Sequence, residues 1–166
     1  MNPQASTSPL SYDVVIIGAG PAGMAAAHRA ARHQLNVLLL DEQPEVGGQI
    51  YRSINSTDPQ REAILGPDYR HGHALAAQVA EHVAAGRLTY WPNTAVWQVD
   101  TDKTLHVLRD NRPVTVQAQA IIVASGAMER PFPVPGWTLP GVMTAGAGQI
   151  LLKSASLVPS EPVGLA

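Results

Sequence analysis

Gly18, Gly20 and Gly23 lie directly after a short apolar run, at the spacing that the pyrophosphate of a dinucleotide requires. The first glycine permits a tight turn, the second lets phosphate oxygens approach the backbone, and the third lets a helix pack closely on a strand. The free N–H groups and the dipole at the start of the following helix also favour an anion. The segment Gly18-Ala19-Gly20-Pro21-Ala22-Gly23 therefore predicts a dinucleotide-binding loop.

An acidic pair, Asp41-Glu42, follows a second apolar run. A carboxylate at this position hydrogen-bonds the ribose diol of a bound nucleotide, and its charge disfavours a 2′-phosphate. Counting forward from the glycine loop points to Asp41, whereas counting back from Gly47-Gly48 points to Glu42. We prefer Glu42 as the ribose ligand and keep Asp41 as the alternative.

The helices and strands that must hold these residues can be predicted from composition and from the spacing of apolar residues. The β-branched run 12–17 and the apolar run 37–40 indicate buried strands, and the Ala-rich stretch 21–33 between them indicates a helix. Strand, helix and strand form a βαβ unit with parallel neighbours. Residues 43–72 show no period and predict a long loop, and 73–85 predict a second helix.

The second half of the chain changes to a period of two. The alternating segments are 94–100, 104–109 and 113–118. Turn residues separate them, which predicts an antiparallel meander. A further apolar strand, 120–124, and a helix, 144–154, follow. The predicted fold class is α/β, a Rossmann-like parallel sheet with an antiparallel β-meander inserted before its last strand.

Composition excludes several classes of function. The net charge is −2 and no basic stripe is present, which argues against nucleic-acid binding. The chain has no cysteine, and the imidazoles of His71-Gly72-His73 lack a third ligand, so we expect no metal. Its longest uncharged run is too short to span a bilayer, and its first residues lack the pattern of a signal peptide, so we expect a cytoplasmic protein. No catalytic acid or base can be named.

Two segments carry a resemblance to a known family. The stretch from Asp41 to Arg52 resembles the FAD-binding segment of the pyridine nucleotide-disulfide reductase superfamily, and its Gly47-Gly48-Gln49 element is similar to that of thioredoxin reductases. Ile121 to Ala127 resembles the second signature of that superfamily, with Ser125 in place of the usual Thr. The resemblance implies a Rossmann-like FAD-binding domain with contacts beyond the glycine loop. These implied contacts are Gln43, Gly48, Gln49, Val96 (to the adenine, through its backbone), Ala124, Ser125 and Gly126.

Residues 127–131, 135–142 and 144–146 are similar to one subgroup of this superfamily. The subgroup holds the FAD/NAD-binding subunits of opine oxidases, hydroxyproline dehydrogenases and hydrogen cyanide synthase, and the sarcosine oxidase alpha subunit. The resemblance implies an electron-relaying subunit of an amino-acid or opine dehydrogenase or oxidase complex, beside a partner subunit that resembles amine oxidases. Without cysteine, the chain cannot pass electrons to a dithiol of its own.

The same resemblance implies a division of the chain. Residues 12–142 would be the N-terminal portion of an incomplete FAD-binding domain, preceded by a disordered segment, 1–11. Residues 143–166 would be a linker helix and the start of a nicotinamide-binding domain that this chain lacks. NAD(P)H would act only through that missing domain, so we expect the chain alone to be inactive. Two alternatives stay open, an NAD-binding dehydrogenase domain and a non-catalytic truncated fragment.

Overall fold

A computed structural model describes residues 10–164 of this chain. The strands are β1 (Leu10–Ile17), β2 (Val37–Leu40), β3 (Leu88–Trp91), β4 (Thr94–Val99), β5 (Thr104–Arg109) and β6 (Arg112–Val123). The helices are α1 (Pro21–Arg32), α2 (Pro59–Leu65), α3 (Pro67–Ala84) and α4 (Ala145–Ala155). The strands form one six-stranded sheet in the order β3-β2-β1-β6-β5-β4, so the predicted α/β class is confirmed.

The predicted βαβ unit is confirmed. Strands β1 and β2 are parallel neighbours, with Val14 opposite Val37 and Ile17 opposite Leu40. All of β2 is buried, which explains its uninterrupted apolar run. Strand β3 extends the parallel sheet beyond β2. No strand was predicted here, because β3 is only four residues long.

The meander is antiparallel as predicted, but it is not a separate insertion. Strand β6 is continuous, whereas the sequence analysis predicted two strands, 113–118 and 120–124. Its first half pairs antiparallel with β5, and its second half pairs parallel with β1. No turn residue separates the two halves, because one strand serves both parts of the sheet.

The predicted long loop over 43–72 is wrong in its second half. Helix α2 lies inside it, and α3 begins at Pro67 rather than at residue 73. Pro59 and Pro67 occupy the first turn of each helix, where the missing N–H has no cost. The side chain of Asp58 caps α2 by accepting from the Arg61 amide at 2.8 Å. The helix predicted over 144–154 is confirmed as α4.

The predicted ends of the chain are tested only in part. Residues 1–9 of the segment 1–11 lie outside the described residues, and Leu10 with Ser11 belongs to β1 rather than to that segment. Residues 162–164 form no strand, and 165–166 lie outside the described residues.

The sheet separates two apolar clusters. Ile16, Met24 and Leu39 belong to the cluster between the sheet and the helices α1 and α3. Val15 and Leu38 belong to the cluster on the opposite face, which the meander covers. The parallel strands are therefore buried on both faces, and their carboxyl ends form a rigid edge for the loops that follow them.

His82 of α3 is buried in the interface with α1, and its Nε2 lies 3.0 Å from Nδ1 of His28. Burial lowers the pKa of His82 below 6.5, and the charges of Arg87, His28 and Arg32 act in the same direction, against Glu81. The folded state therefore favours neutral His82. Its contribution to stability is complete above pH 6.5 and is lost as the pH falls below 6.5 through the lower folded pKa.

We expect His82→Gln to weaken the acid dependence of stability. The melting temperature of the wild type should fall between pH 7.5 and pH 5.5, and the melting temperature of the variant should fall by less. Thermal unfolding followed by circular dichroism measures the difference. His33→Gln, at an exposed position after α1, is the control and should leave the fall unchanged. An equal fall in the His82 variant would contradict the interpretation.

Candidate functional site

The glycine loop joins β1 to α1 at the edge formed by the carboxyl ends of the parallel strands. Gly18 has a φ of +103°, and a Cβ on it would lie 2.4 Å from the carbonyl oxygen of Ala124. A Cβ on Gly23 would lie 1.8 Å from the carbonyl oxygen of Gly18. The packing of the chain therefore requires glycine at both positions.

Gly20 differs from the other two glycines of the loop. Its φ is −71° and its ψ is −175°, so its backbone is open to any residue type. A Cβ on it would have only the Gly48 Cα nearby, at 3.9 Å, which is ordinary van der Waals contact. Gly20 is also the N-cap of α1, where no side chain accepts a hydrogen bond and no acid lies in the first turn. The first turn of α1 is thus free to receive an anion.

Asp41 and Glu42 lie in opposite environments at the end of β2. Asp41 is buried, and its carboxylate accepts hydrogen bonds from the backbone amides of Ala19 and of Gln43, the latter at 2.7 Å. Both of its oxygens are therefore used to tie the glycine loop to the end of β2. Glu42 is exposed and lies on a cavity.

The Glu42 cavity has a volume of about 500 Å³. Its lining is Glu42, Asn93, Ala95, Leu108, Asp110 and Asn111. The side chains of Ala95 and Leu108 supply apolar surface, and the other four supply amide and carboxylate groups. The lining contains two carboxylates and no Lys or Arg, so the cavity disfavours an anion and suits a group that donates hydrogen bonds.

The remaining predicted contacts lie in different places. The side chain of Val96 packs on the apolar cluster under the meander, and its neighbour Ala95 faces the Glu42 cavity. Ala124 lies against Gly18, and its amide donates to the carbonyl of Ile17 at 2.8 Å. Ser125 and Gly126 are exposed just beyond it.

The segment from Gly47 to Arg52 covers the glycine loop. The amide of Gly47 donates to the carbonyl of Ala19 at 2.8 Å, and a Cβ on Gly48 would lie 2.8 Å from the Gly20 Cα. Gly48 also lines a small cavity of about 90 Å³, separate from the Glu42 cavity. The two predicted cofactor loops are therefore in backbone contact.

Two cations support this segment, and the sequence analysis assigned neither. The guanidinium of Arg52 donates to the side-chain oxygens of Gln43 and Gln49, each at 3.2 Å. Lys153 of α4 donates from Nζ to the backbone carbonyl of Gln49 at 3.0 Å. Burial lowers the pKa of Lys153, and the charge of Arg52 lowers it further. The available signal was that Lys153 is the one charged residue in the sequence of α4.

Other classes of site find no support in the described part of the chain. Residues 10–164 contain no cluster of three side chains that could hold a metal ion. None of their helices combines the length and apolar character needed to cross a membrane.

Comparison with known proteins places this geometry in context. The family described as Pyridine nucleotide-disulphide oxidoreductase matches residues 12–157. The chain is 49% identical to an opine oxidase subunit of Agrobacterium tumefaciens (strain Ach5), over 93% of this chain and 31% of that protein. It is 36% identical to the HcnB subunit of hydrogen cyanide synthase from Pseudomonas protegens, over 95% of this chain and 33% of that protein. The chain thus spans about a third of the length of these relatives.

The fold also resembles a solved structure. The crystal structure of L-proline dehydrogenase from P. horikoshii superposes with a TM-score of 0.67 at 21% identity, over 87% of this chain and 28% of that one. At this identity the likeness concerns the fold, a Rossmann-like sheet with helices.

We expect Asp41→Asn to destabilise the protein by about 1–3 kcal/mol. An amide has one acceptor oxygen, so one of the two backbone donors, Ala19 or Gln43, would lose its partner in a buried place. Urea unfolding measures the change. Asp13→Asn is the matched control, because Asp13 also accepts from a backbone amide, that of Asn36, at an exposed position. A loss of stability no larger than that of Asp13→Asn would contradict a structural role for the buried Asp41 hydrogen bonds.

Proposed function

This chain belongs to the pyridine nucleotide-disulphide oxidoreductase family, and we propose that its glycine-loop site binds FAD as part of a flavin-dependent oxidoreductase. The main support for the proposal is that nothing in the described part of the protein requires glycine at position 20. Neither its backbone angles nor its neighbours require glycine, in contrast to Gly18 and Gly23. A bound pyrophosphate explains the residue, because phosphate oxygens must approach the backbone closely at this point.

The adenosine half of FAD fits the Glu42 cavity. Glu42 is exposed beside the loop, whereas Asp41 is occupied by backbone donors, which supports Glu42 as the ligand of the ribose hydroxyls. The apolar surface of Ala95 and Leu108 suits the face of an adenine. Val96, one residue further along β4, would contact the adenine through its backbone.

Bound FAD would supply the electron-transfer chemistry, and the chain's own residues would bind and orient it. We assign the pyrophosphate to the loop from Gly18 to Gly23. The segment with Gln43, Gly48 and Gln49 and the segment 124–126 would contact the rest of the cofactor. Support for these assignments is that the two segments lie against Gly20 and Gly18 respectively.

We extend the proposal to the whole protein through its relatives. Two of them are named as subunits, of an opine oxidase and of a hydrogen cyanide synthase. We propose that the full-length protein is likewise an electron-relaying subunit of an amino-acid or opine dehydrogenase or oxidase complex, whose partner resembles amine oxidases. NAD(P)H would act only through parts of the protein beyond this chain. Co-purification of the full-length protein with a second flavoprotein, active on an amino acid or opine, tests this extension.

We expect Gly20→Ala to keep the fold and to lower the affinity for FAD at least about tenfold. The added methyl group has room in the protein but would stand where phosphate oxygens approach. Circular dichroism measures the fold, and quenching of flavin fluorescence measures the affinity.

Gly148→Ala is the matched control. A Cβ on Gly148 meets only the Met143 sulfur, at 4.0 Å, so both fold and affinity should be retained. Wild-type affinity in Gly20→Ala, or retention of NAD in preference to FAD by the wild type, would contradict the proposal.

We expect Glu42→Gln to weaken FAD binding about tenfold or more, because a hydrogen bond to a carboxylate contributes roughly 1.5–3 kcal/mol. The melting temperature without cofactor should not change, since Glu42 is exposed. FMN lacks the adenosine, so its weaker binding should be the same in wild type and variant. Asp110→Asn, in the same cavity, is the control and should lose less affinity. Equal losses of FAD and FMN affinity would exclude a ribose contact.

A further inference from the structure

Helix α4 is docked on the protein in an unusual way. Its one buried residue among those described is Lys153, which is 6% exposed. Helices normally dock through apolar side chains, and burial of an ammonium group has a desolvation cost. The role of Lys153 must therefore lie in what its ammonium group contacts.

Those contacts are amide oxygens of the cofactor segment and of α4 itself. The ammonium group donates to the backbone carbonyl of Gln49 at 3.0 Å and to the side-chain oxygen of Gln149 at 3.3 Å. No ion pair within residues 10–164 joins Lys153 or Arg52 to a carboxylate. The two cations thus converge on Gln49, one on its backbone and the other on its side chain.

The helix is fixed at both ends, so it can hold the lysine in place. At its start, the Glu129 carboxylate accepts from the Thr144 hydroxyl and from the Gly146 amide, the latter at 2.9 Å. At its end, Arg61 of α2 donates to the Lys153 carbonyl at 2.9 Å and to the Ser156 hydroxyl at 2.8 Å. These contacts hold α4 in place, and Lys153 can therefore restrain the segment that it contacts.

We propose that Lys153 is a positioning residue of the cofactor site, which holds Gln49 and thereby keeps the Gly47–Gly48 turn against the glycine loop. This inference rests on the proposed function. Gly47 donates to Ala19, and Gly48 lies on Gly20, so movement of Gln49 would be passed to the loop through the adjoining backbone. Neither Gln49 nor Lys153 lines the Glu42 cavity. The proposed effect of Lys153 is therefore on the pyrophosphate and flavin parts of FAD rather than on the adenosine.

The test compares FAD with adenosine, which has no phosphate to contact the glycine loop. We expect Lys153→Met to lower FAD affinity about tenfold, because the turn must then be ordered without the charged hydrogen bond that holds it, and to leave adenosine affinity unchanged. Lys153→Arg keeps the charge and the donors, and it should restore most of the FAD affinity. Isothermal titration calorimetry on this chain measures both ligands.

Lys103→Met is the matched control, because Lys103 also donates to a backbone carbonyl, that of Gln119 at 2.8 Å, at an exposed place remote from Gln49. It should leave both affinities unchanged. Unchanged FAD affinity in Lys153→Met, equal losses of FAD and adenosine affinity, or no rescue by Lys153→Arg would each overturn the positioning role. A wild-type chain that binds neither ligand would instead overturn the proposed function.

Discussion

Close backbone contact around the glycine loop is the constraint on which the rest of this structure depends. Gly18 lies against Ala124, Gly23 against Gly18, and Gly48 against Gly20, at separations that leave little or no room for side chains. Such contacts bury peptide groups, which must then find hydrogen-bond partners. The Asp41 carboxylate is one of these partners, because it accepts a hydrogen bond from the Ala19 amide. Two backbone donors, the amides of Ala19 and Gln43, satisfy this buried carboxyl group.

The adjacent acids Asp41 and Glu42 make different contacts, although either could follow β2 as a ligand of a ribose. Asp41 points inward and fixes the loop, whereas Glu42 points outward toward the cavity. The division follows from strand geometry, since successive side chains at the end of a strand point to opposite sides. The two cations also contact neutral groups, because Arg52 donates to the side-chain oxygens of Gln43 and Gln49, and Lys153 donates to the backbone carbonyl of Gln49.

The sequence was informative where the signal is local. The glycine loop, α1 and β2 could be predicted because turn chemistry, helix propensity and an apolar run coincide within a short stretch. Pro59 and Pro67 were ambiguous, because proline occurs both in loops and in the first turn of helices. The Asp58 cap marks the start of α2, whereas α3 has no side-chain cap. The choice between Asp41 and Glu42 depended on counting until the structure showed which carboxylate the backbone occupies. The sequence of α4 marks Lys153 as its one charged residue, but its partner could not be predicted, since that partner is a main-chain carbonyl 104 positions away in the sequence.

The continuity of β6 has a consequence for how the chain folds. The β4–β5 and β5–β6 pairings join neighbours in sequence, so they can form early as hairpins, at a small cost in chain entropy. The β1–β6 pairing joins distant segments, for example Leu10 with Val116, and must close a long loop. Because both pairings share one strand, the hairpins present a preformed edge onto which β1 docks in register. Amide protons along β6 should then exchange with solvent as one cooperative unit with those of β1.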